Sequence, residues 1–186
     1  MNTDRHMTLE LIFQALNFAA HKHRDQRRKG VNAVPYINHP IEVVELLLQV
    51  GKIDDPQVLV AAILHDTLED TDTTVHELEQ HFGLQVRHYV EEVSDDKSLS
   101  KAHRKALQIE HAAQLSHGAK LIKLADKISN INDIANNPPV NWPLQRRWEY
   151  LDWAEQVIAG VSGVNAKLEQ HFRTRLAQAK TMLQQS

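Results

Sequence analysis

Apolar residues recur at steps of three and four along most of the chain, which is the period of an amphipathic helix. The first stripe begins at Leu9 and Ile12 and predicts a helix over residues 8–25. β-Branched residues are scattered among Leu and Ala, and no segment alternates convincingly at period two. The pattern therefore predicts an all-α protein.

Turn and capping residues indicate where the next helices begin and end. Residues 30–39 contain Gly, Asn and Pro, so they predict a loop that brings His39 to the start of a helix with a proline in its first turn. That helix is expected to stop at Gly51. Asp55 and Pro56 are typical of an N-cap followed by proline, and they predict a buried helix that runs to roughly residue 70.

The rest of the chain continues the helical pattern. Thr74 and Glu77 fit a capping box, and Pro138 stops a longer helical stripe. The expected helices cover about 74–82, 84–95, 101–115, 118–137, 142–160 and 164–181. There is no internal repeat, low-complexity linker or break in composition. We therefore expect a single domain over residues 1–186, with a motif-bearing core of about 8–170 and a C-terminal helix over about 164–181.

Composition narrows the chemistry that the chain can perform. It has 186 residues, a formal charge of −3, twelve histidines and no cysteine, which excludes disulfides, thiolate ligands and cysteine nucleophiles. The acidic balance gives no general reason to bind nucleic acid or an anionic membrane, although RDQRRKG is a local basic segment. The N-terminus has no signal-peptide pattern and no run of about 18 apolar residues occurs, so we expect a cytoplasmic protein.

The segment LHDTLEDTDTT at residues 64–74 raises the main chemical question. It places His65, Asp66, Glu69 and Asp70 at the end of a buried stripe. Side chains three and four residues apart share one helix face, so all four can project from the same side. Buried charges of this kind need a cation, a metal or abundant water. On spacing alone, a solvated acidic turn with a capping histidine explains the segment equally well.

Two other segments favour a metal. PYINHP holds His39 in a proline-bounded loop, and KLIKLADKISN places Asp126 within an apolar helical stripe, where an aspartate needs a partner. Either feature alone is usually structural. Together with His65 and Asp66 they supply two imidazoles and two carboxylates, a set suited to Mn²⁺, Fe²⁺ or Zn²⁺.

The motifs resemble those of a known family. A histidine, then an HD pair, then an aspartate on separate helices resembles the HD-domain metal-dependent phosphohydrolases. The segments RRKG, PYINHP, ILHDTLED, EEVSDDK, KLADKISN and WEYLDWA are more similar still to the branch that degrades guanosine tetraphosphate. This branch comprises the hydrolase domain of RelA/SpoT homologues and the stand-alone small alarmone hydrolases. The resemblance extends from about residue 10 to 170 and implies an HD-domain helical bundle.

The resemblance also implies a role for each matching residue. The expected ligands of one divalent ion, typically Mn²⁺, are His39, His65, Asp66 and Asp126. Glu69 and Asp70 match the catalytic pair that positions or deprotonates the attacking water and protonates the leaving oxygen. The expected substrate contacts are Arg28 and Lys29 at the base, Asn130 and Tyr150 at the ribose, and Lys101 and Arg146 at the phosphates.

These expectations describe an enzyme. The resemblance implies that it removes the 3′-pyrophosphate of ppGpp or pppGpp, alarmones of the stringent response, to leave GDP or GTP. The chain is too short for the synthetase half that some family members carry, so we expect degradation without synthesis. Three alternatives stay open: an HD phosphatase acting on the NADPH 2′-phosphate or on an adenosine alarmone, a catalytically silent nucleotide-binding HD protein, and a helical nucleic-acid-binding protein. The expected partner is a small nucleotide, and the oligomeric state stays open.

Overall fold

The computed structural model describes residues 2–185, with side chains for residue 6 and residues 8–185. Helices follow one another along this part of the chain. They are α1 (Asn2–Lys22), α2 (Asn38–Leu46), α3 (Pro56–Leu64), α4 (Thr67–Asp70), α5 (Val75–Phe82), α6 (Leu84–Val93), α7 (Lys101–His111), α8 (His117–Asn136), α9 (Leu144–Gly160) and α10 (Ala166–Gln184). Residues 2–185 contain no β-strand, so the all-α prediction is confirmed.

Helix α8 lies at the centre of the fold. It contacts α2, α3, α6, α9 and α10. Its residues Ile122, Leu124 and Ile128 are completely buried. Burial of each such side chain contributes about 1.5–3 kcal/mol of hydrophobic stabilisation. The polar side chains Lys123, Asp126, Lys127 and Ser129 of this helix are buried among the same packed elements.

Helix α3 is nearly all apolar but shorter than the sequence predicts. Asp55 caps it by accepting a hydrogen bond from the Gln57 amide, as expected. The prediction of a helix to roughly residue 70 is wrong, because α3 ends at Leu64 and α4 begins at Thr67. The hydroxyl of Thr67 donates to the carbonyl of Leu64 at 2.7 Å, and this side-chain bond competes with the helical ladder. The break leaves His65 and Asp66 between two helices.

The loop between α1 and α2 is folded back on itself and fixed to the end of α8. The Arg28 amide donates to the Val34 carbonyl at 2.9 Å, which makes a narrow turn. Gly30 forms an isolated bridge with Pro139. A Cβ atom at Gly30 would lie only 2.1 Å from the side-chain nitrogen of Asn137, so a larger residue here would displace the Asn137 side chain. The loop is thereby held over one end of α8.

Other boundaries shift by a few residues from those expected. The first helix begins at Asn2 and ends at Lys22, earlier at both ends than predicted. The chain after α2 continues through a π-helical turn, Leu47–Gly51, so the predicted stop at Gly51 is confirmed. The last helix, Ala166–Gln184, starts and ends slightly later than 164–181. No helix in residues 2–185 has both the length and the apolar character that a membrane span requires.

The capping box at the start of α5 gives a test of the fold. The Thr74 hydroxyl accepts from the Glu77 amide at 3.1 Å, while the Glu77 carboxylate accepts from the Thr74 amide at 3.0 Å. We expect Thr74→Ala to lower the free energy of unfolding by about 1 kcal/mol in urea titrations, because one N-terminal amide loses its acceptor. Thr174→Ala, at an exposed position inside α10, is the control and should change it little. An equal loss in both variants would contradict the capping role.

Candidate active site

Four side chains from separated segments converge at one buried point. The Nε2 atom of His39 lies 3.2 Å from Oδ1 of Asp126 and 3.6 Å from Oδ2 of Asp66. The Nε2 atom of His65 lies 2.9 Å from Oδ2 of Asp66 and 3.8 Å from Oδ1 of Asp126. The structure thus brings the four predicted ligands together, with two imidazole nitrogens facing two carboxylates.

Rigid elements fix the position of each group. His39 lies in the first turn of α2, and Asp126 lies midway along α8. His65 and Asp66 occupy the break between α3 and α4, which directs both side chains toward α2 and α8. The break that shortens α3 is therefore also the feature that forms the site.

Hydrogen bonds on the far side of each imidazole orient its ring. Nδ1 of His65 lies 2.8 Å from the carbonyl of Ala62 and must donate, since a carbonyl only accepts. Nδ1 of His39 lies 3.0 Å from the Ser129 hydroxyl, which gives its own proton to Glu42 at 2.8 Å. His39 therefore also donates through Nδ1. Both rings direct Nε2 to the centre, the arrangement usual for metal-binding histidines, and this atom offers a lone pair once it carries no proton.

Those two Nε2 atoms are the evidence that a cation fits here. Both are buried, and neither makes a hydrogen bond to the part of the chain that the structure describes. Ligand atoms of His39, His65 and Asp126 all lie within 4.8 Å of one another. A buried acceptor without a partner costs about 1–3 kcal/mol, and a divalent ion at the centre would satisfy both nitrogens together with the carboxylates.

The carboxylates are prepared to stay ionised. Tyr36 donates to Asp66 Oδ2 at 2.5 Å, and Lys127 donates to Asp126 Oδ2 at 2.9 Å. Burial opposes ionisation of Asp126, but the positive charge of Lys127 outweighs burial. The pKa of Asp126 therefore lies well below its usual range. Burial lowers the pKa of His65, but Asp66 outweighs it and raises that pKa to about 10. Without a metal, His65 thus holds a proton against the negative charge, and a divalent cation would take the place of that proton.

Glu69 and Asp70 lie one turn beyond, on α4. The Glu69 carboxylate accepts from the Asp95 amide at 3.0 Å. Asp70 accepts from Gln26 at 3.1 Å and from Lys97 at 2.5 Å. Burial raises the pKa of Glu69, which brings it closer to the range of a useful acid or base. Both residues line the same cavity as His65, Asp66 and Asp126, although neither touches the imidazoles.

Three adjoining cavities form one cleft around Lys29 and Tyr150, which line all of them. The convergent carboxylates line the first, of about 260 Å³, which we call the metal cavity. The second, of about 430 Å³, lies under the α1–α2 loop and is called the loop-side cavity. The third, of about 740 Å³, is called the aromatic cavity. Its side chains include Trp142, Trp153, Lys101, Arg104, Lys105 and Arg146.

The predicted base and ribose contacts connect the loop-side cavity to the metal cavity. Arg28 donates to Asp133 at 2.6 Å and to the side-chain oxygen of Asn130 at 3.0 Å. Asn130 in turn donates to Asp126 Oδ1 at 2.5 Å. Arg28 is therefore already paired, so it belongs to the wall of the cleft. Lys29 makes no such pair and lines all three cavities.

The predicted phosphate contacts gather in the aromatic cavity. The Lys101 ammonium lies 5.6 Å, and the Arg146 guanidinium 4.2 Å, from the centre of the Trp142 ring. Burial and the neighbouring Arg146 lower the pKa of Lys101. Cations outnumber the acidic residues that line this cavity, Asp95 and Glu149. This excess of positive charge suits an anionic ligand.

Comparison with known proteins identifies the family. The model of the HD domain matches residues 15–149. The chain belongs to the HD-domain family. This confirms the resemblance noted in the sequence and implies a divalent metal, for which His39, His65 and Asp126 form a suitable group.

Full-length relatives make the assignment within the HD-domain family more specific. The guanosine-3′,5′-bis(diphosphate) 3′-pyrophosphohydrolase MESH1 of Mus musculus is 54% identical over 162 residues, covering 87% of this chain and 90% of the relative. The enzyme of the same name from Drosophila melanogaster is 48% identical over 168 residues, covering 88% and 94%. A solved structure of a metazoan ortholog of SpoT that hydrolyses ppGpp superposes with a TM-score of 0.88 at 46% identity, covering 90% of this chain and 94% of that one.

Several residues of this HD domain were missed from the sequence. Tyr36 supports Asp66, Lys127 supports Asp126, and Ser129 orients His39. All three lie in the segments PYINHP and KLADKISN, which also carry expected ligands. Proximity to a ligand was the only available signal, because each partner contact joins residues far apart in sequence or depends on a side-chain rotamer.

The convergent geometry predicts one divalent ion per HD domain. We expect His65→Ala and Asp126→Asn to weaken Mn²⁺ binding by about tenfold or more, because each removes an atom that faces the centre. Metal content after dialysis and the rise in melting temperature on adding Mn²⁺ measure this. His88→Ala is the control, since His88 is exposed on α6 and distant in sequence from the site. Full retention of metal by both ligand variants would show that the ion binds elsewhere.

Proposed function

We propose that this protein hydrolyses the 3′-diphosphate of ppGpp and pppGpp, releasing pyrophosphate and leaving GDP or GTP. The observation that carries the proposal is the buried group of two unpartnered imidazole nitrogens and two carboxylates, with an acidic pair in the same cavity. The activity named for the MESH1 relatives supports the same reaction.

The proposal assigns His39, His65, Asp66 and Asp126 as ligands of one divalent ion. We propose Mn²⁺, because an equal mixture of imidazole and carboxylate ligands suits this borderline ion, and Fe²⁺ and Zn²⁺ are the alternatives. When bound, a divalent ion lowers the pKa of water and offsets negative charge on phosphoryl oxygens. Tyr36 and Lys127 keep the two carboxylates oriented and ionised by the bonds described above.

Glu69 and Asp70 are proposed to handle the protons. The raised pKa of Glu69 fits a group that accepts a proton from the attacking water. Asp70, held by Gln26 and Lys97, faces the loop-side cavity as well as the metal cavity. It is therefore placed between the water and the nucleoside, where it can return a proton to the leaving oxygen.

The three cavities suggest how the substrate lies. We propose that the guanine binds beside Arg28 and Lys29 in the loop-side cavity, with the ribose against Asn130 and Tyr150. Burial raises the pKa of Tyr150 to about 12, so its hydroxyl stays a donor at neutral pH. Lys101 and Arg146 line the neighbouring aromatic cavity, where their charges suit phosphate groups.

One observation favours a second candidate substrate. The aromatic cavity of about 740 Å³ has Trp142, Tyr150 and Trp153 in its wall, and a diphosphate needs no aromatic surface. A dinucleotide phosphate such as NADPH could place a second ring system there while its 2′-phosphate reaches the metal cavity. An adenosine alarmone is the remaining enzymatic alternative. A silent nucleotide-binding protein is less well supported, since no expected ligand or acidic residue is missing.

The proposal also includes the bounds of the domain and the cellular location of the protein. We treat residues 1–186 as one hydrolase domain, because α10 packs along α8, which carries Asp126. A cytoplasmic location suits a substrate with several negative charges, which cannot cross a bilayer unaided.

Product analysis tests the reaction directly. Purified protein with Mn²⁺ should convert ppGpp to GDP and pyrophosphate, because the metal cavity faces the 3′ side in the proposed orientation. Chromatography with separate assays of pyrophosphate and orthophosphate measures this. ppApp and NADPH are run in parallel, and ppGpp should have the highest kcat/KM. Release of orthophosphate through a 3′-monophosphate would contradict the proposed bond, and a preference for NADPH would contradict the substrate.

Substitution of the acidic pair tests the mechanism. We expect Glu69→Gln and Asp70→Asn each to lower kcat by about 10²-fold or more, the usual scale for general acid–base groups. Bound metal should stay near the wild-type content, because Asp66 and Asp126 each lie within 4 Å of both imidazoles, whereas no such pair joins Glu69 or Asp70 to an imidazole among the described residues. Glu79→Gln, an exposed glutamate on α5, is the matched control. Parallel loss of metal and activity would make the pair ligands instead.

A further inference from the structure

Lys123 is a buried charge that the proposed mechanism does not use. It lies on α8 between completely buried Ile122 and Leu124, and only 7% of its surface is exposed. Its ammonium donates to the carbonyl of Val93 at 2.9 Å, its one hydrogen bond among residues 2–185. Burial lowers the pKa of Lys123 to about 8. The ammonium has three N–H donors, and only one of them has an acceptor here. Burying such a group lowers the stability of the fold, which points to a role in the site.

The carbonyl that accepts from Lys123 lies at the C-terminal end of α6. Val93 is the last residue of α6, where the negative end of the helix dipole favours a cation. The chain then turns, and the Ser94 hydroxyl donates to the Val90 carbonyl at 2.7 Å. The next amide, that of Asp95, donates to Glu69 at 3.0 Å. Only Ser94 therefore lies between Val93, whose carbonyl Lys123 holds, and Asp95, whose amide holds Glu69.

The turn Val93–Asp95 is held from two helices. Lys123 reaches it from α8, and Gln108 reaches it from α7 by donating to both Asp95 carboxylate oxygens at 2.8 and 2.9 Å. Glu69 has one further cation nearby, the half-exposed Lys97 at 3.5 Å. The Asp95 amide is thus the partly buried hydrogen-bond donor that fixes the direction of the Glu69 carboxylate. Val93, Asp95, Lys123 and Glu69 all line the metal cavity.

We propose that Lys123 is a positioning residue for Glu69. It fixes the Val93 carbonyl and thereby the turn whose Asp95 amide orients the Glu69 carboxylate. It contacts neither the substrate nor the reacting atoms. The proposal rests on the proposed function in one respect, the catalytic role of Glu69. A shift of about 1 Å in an acid–base group costs on the order of 10²-fold in rate, so a small movement of the turn is enough to matter.

The first experiment compares Lys123→Met with Lys120→Met in the full chain loaded with Mn²⁺. Methionine keeps the length of the buried side chain but removes the donor. Lys120 lies one turn earlier on α8, and its side chain makes no hydrogen bond or ion pair among residues 2–185, so it is the matched control. We expect Lys123→Met to lower kcat by about 10–100-fold with KM and metal content unchanged. Lys120→Met should match the wild type.

A double-mutant cycle distinguishes positioning from a general loss of packing. If Lys123 acts through Glu69, Lys123→Met should have no further effect on kcat in a Glu69→Gln background. Lys123→Arg, which restores a cationic donor, should recover part of the lost kcat. Multiplied effects in the double variant, or unchanged kcat in folded Lys123→Met, would overturn the proposal.

Hydrogen exchange gives a readout that needs no substrate. In the metal-free protein the Asp95 amide should exchange faster in Lys123→Met than in the wild type, and at the wild-type rate in Lys120→Met. Equal protection in all three would overturn the proposal even if kcat falls. If the wild type cleaves none of the nucleotides, the proposed function fails, while faster exchange at Asp95 still shows that Lys123 holds the turn.

Discussion

Two ionised carboxylates, the partly buried Asp66 and the buried Asp126, lie beside two buried imidazoles at the wall of the metal cavity. Such a group is unfavourable unless positive charge is supplied. Lys127 and a proton on His65 supply part of this positive charge. The Nε2 atoms of His39 and His65 point to the centre of the site, where a cation can supply the rest. The helices that hold these four groups cannot move apart without exposing or separating the charges. The fold and the site therefore depend on the same electrostatic requirement.

The break between α3 and α4 is the local feature that brings His65 and Asp66 to this group of charges. On a continuous helix His65 and Asp66 would lie about 100° apart, so both could reach one ion only above the edge that they share. The hydroxyl of Thr67 takes the Leu64 carbonyl, the ladder stops, and both side chains turn inward. The short α4 then presents Glu69 and Asp70 to the same cavity. The ligands His65 and Asp66 in this break and the acidic pair just after it thus line one cavity.

The cleft separates bond cleavage from recognition. The metal cavity contains the ligands and the acidic pair, whereas the loop-side and aromatic cavities contain the arginine, lysine and tryptophan side chains that can contact the rest of a nucleotide. Lys29 and Tyr150 stand at the junction of all three. Changes in the outer cavities can therefore alter which nucleotide binds while the inner chemistry is kept.

The features that could be predicted from the sequence depend on interactions between residues close together in the chain. The helical class follows from periodicity, and the caps at Asp55 and Thr74 follow from hydrogen bonds that span two or three residues. The four convergent residues were found because each lies in a compact motif. Only the tertiary structure showed the break after Leu64, the pairing of Arg28 with Asp133 and the hold of Lys123 on Val93. The two pairings join side chains to groups 105 and 30 residues away, and no local pattern encodes which distant partner a buried charge will meet.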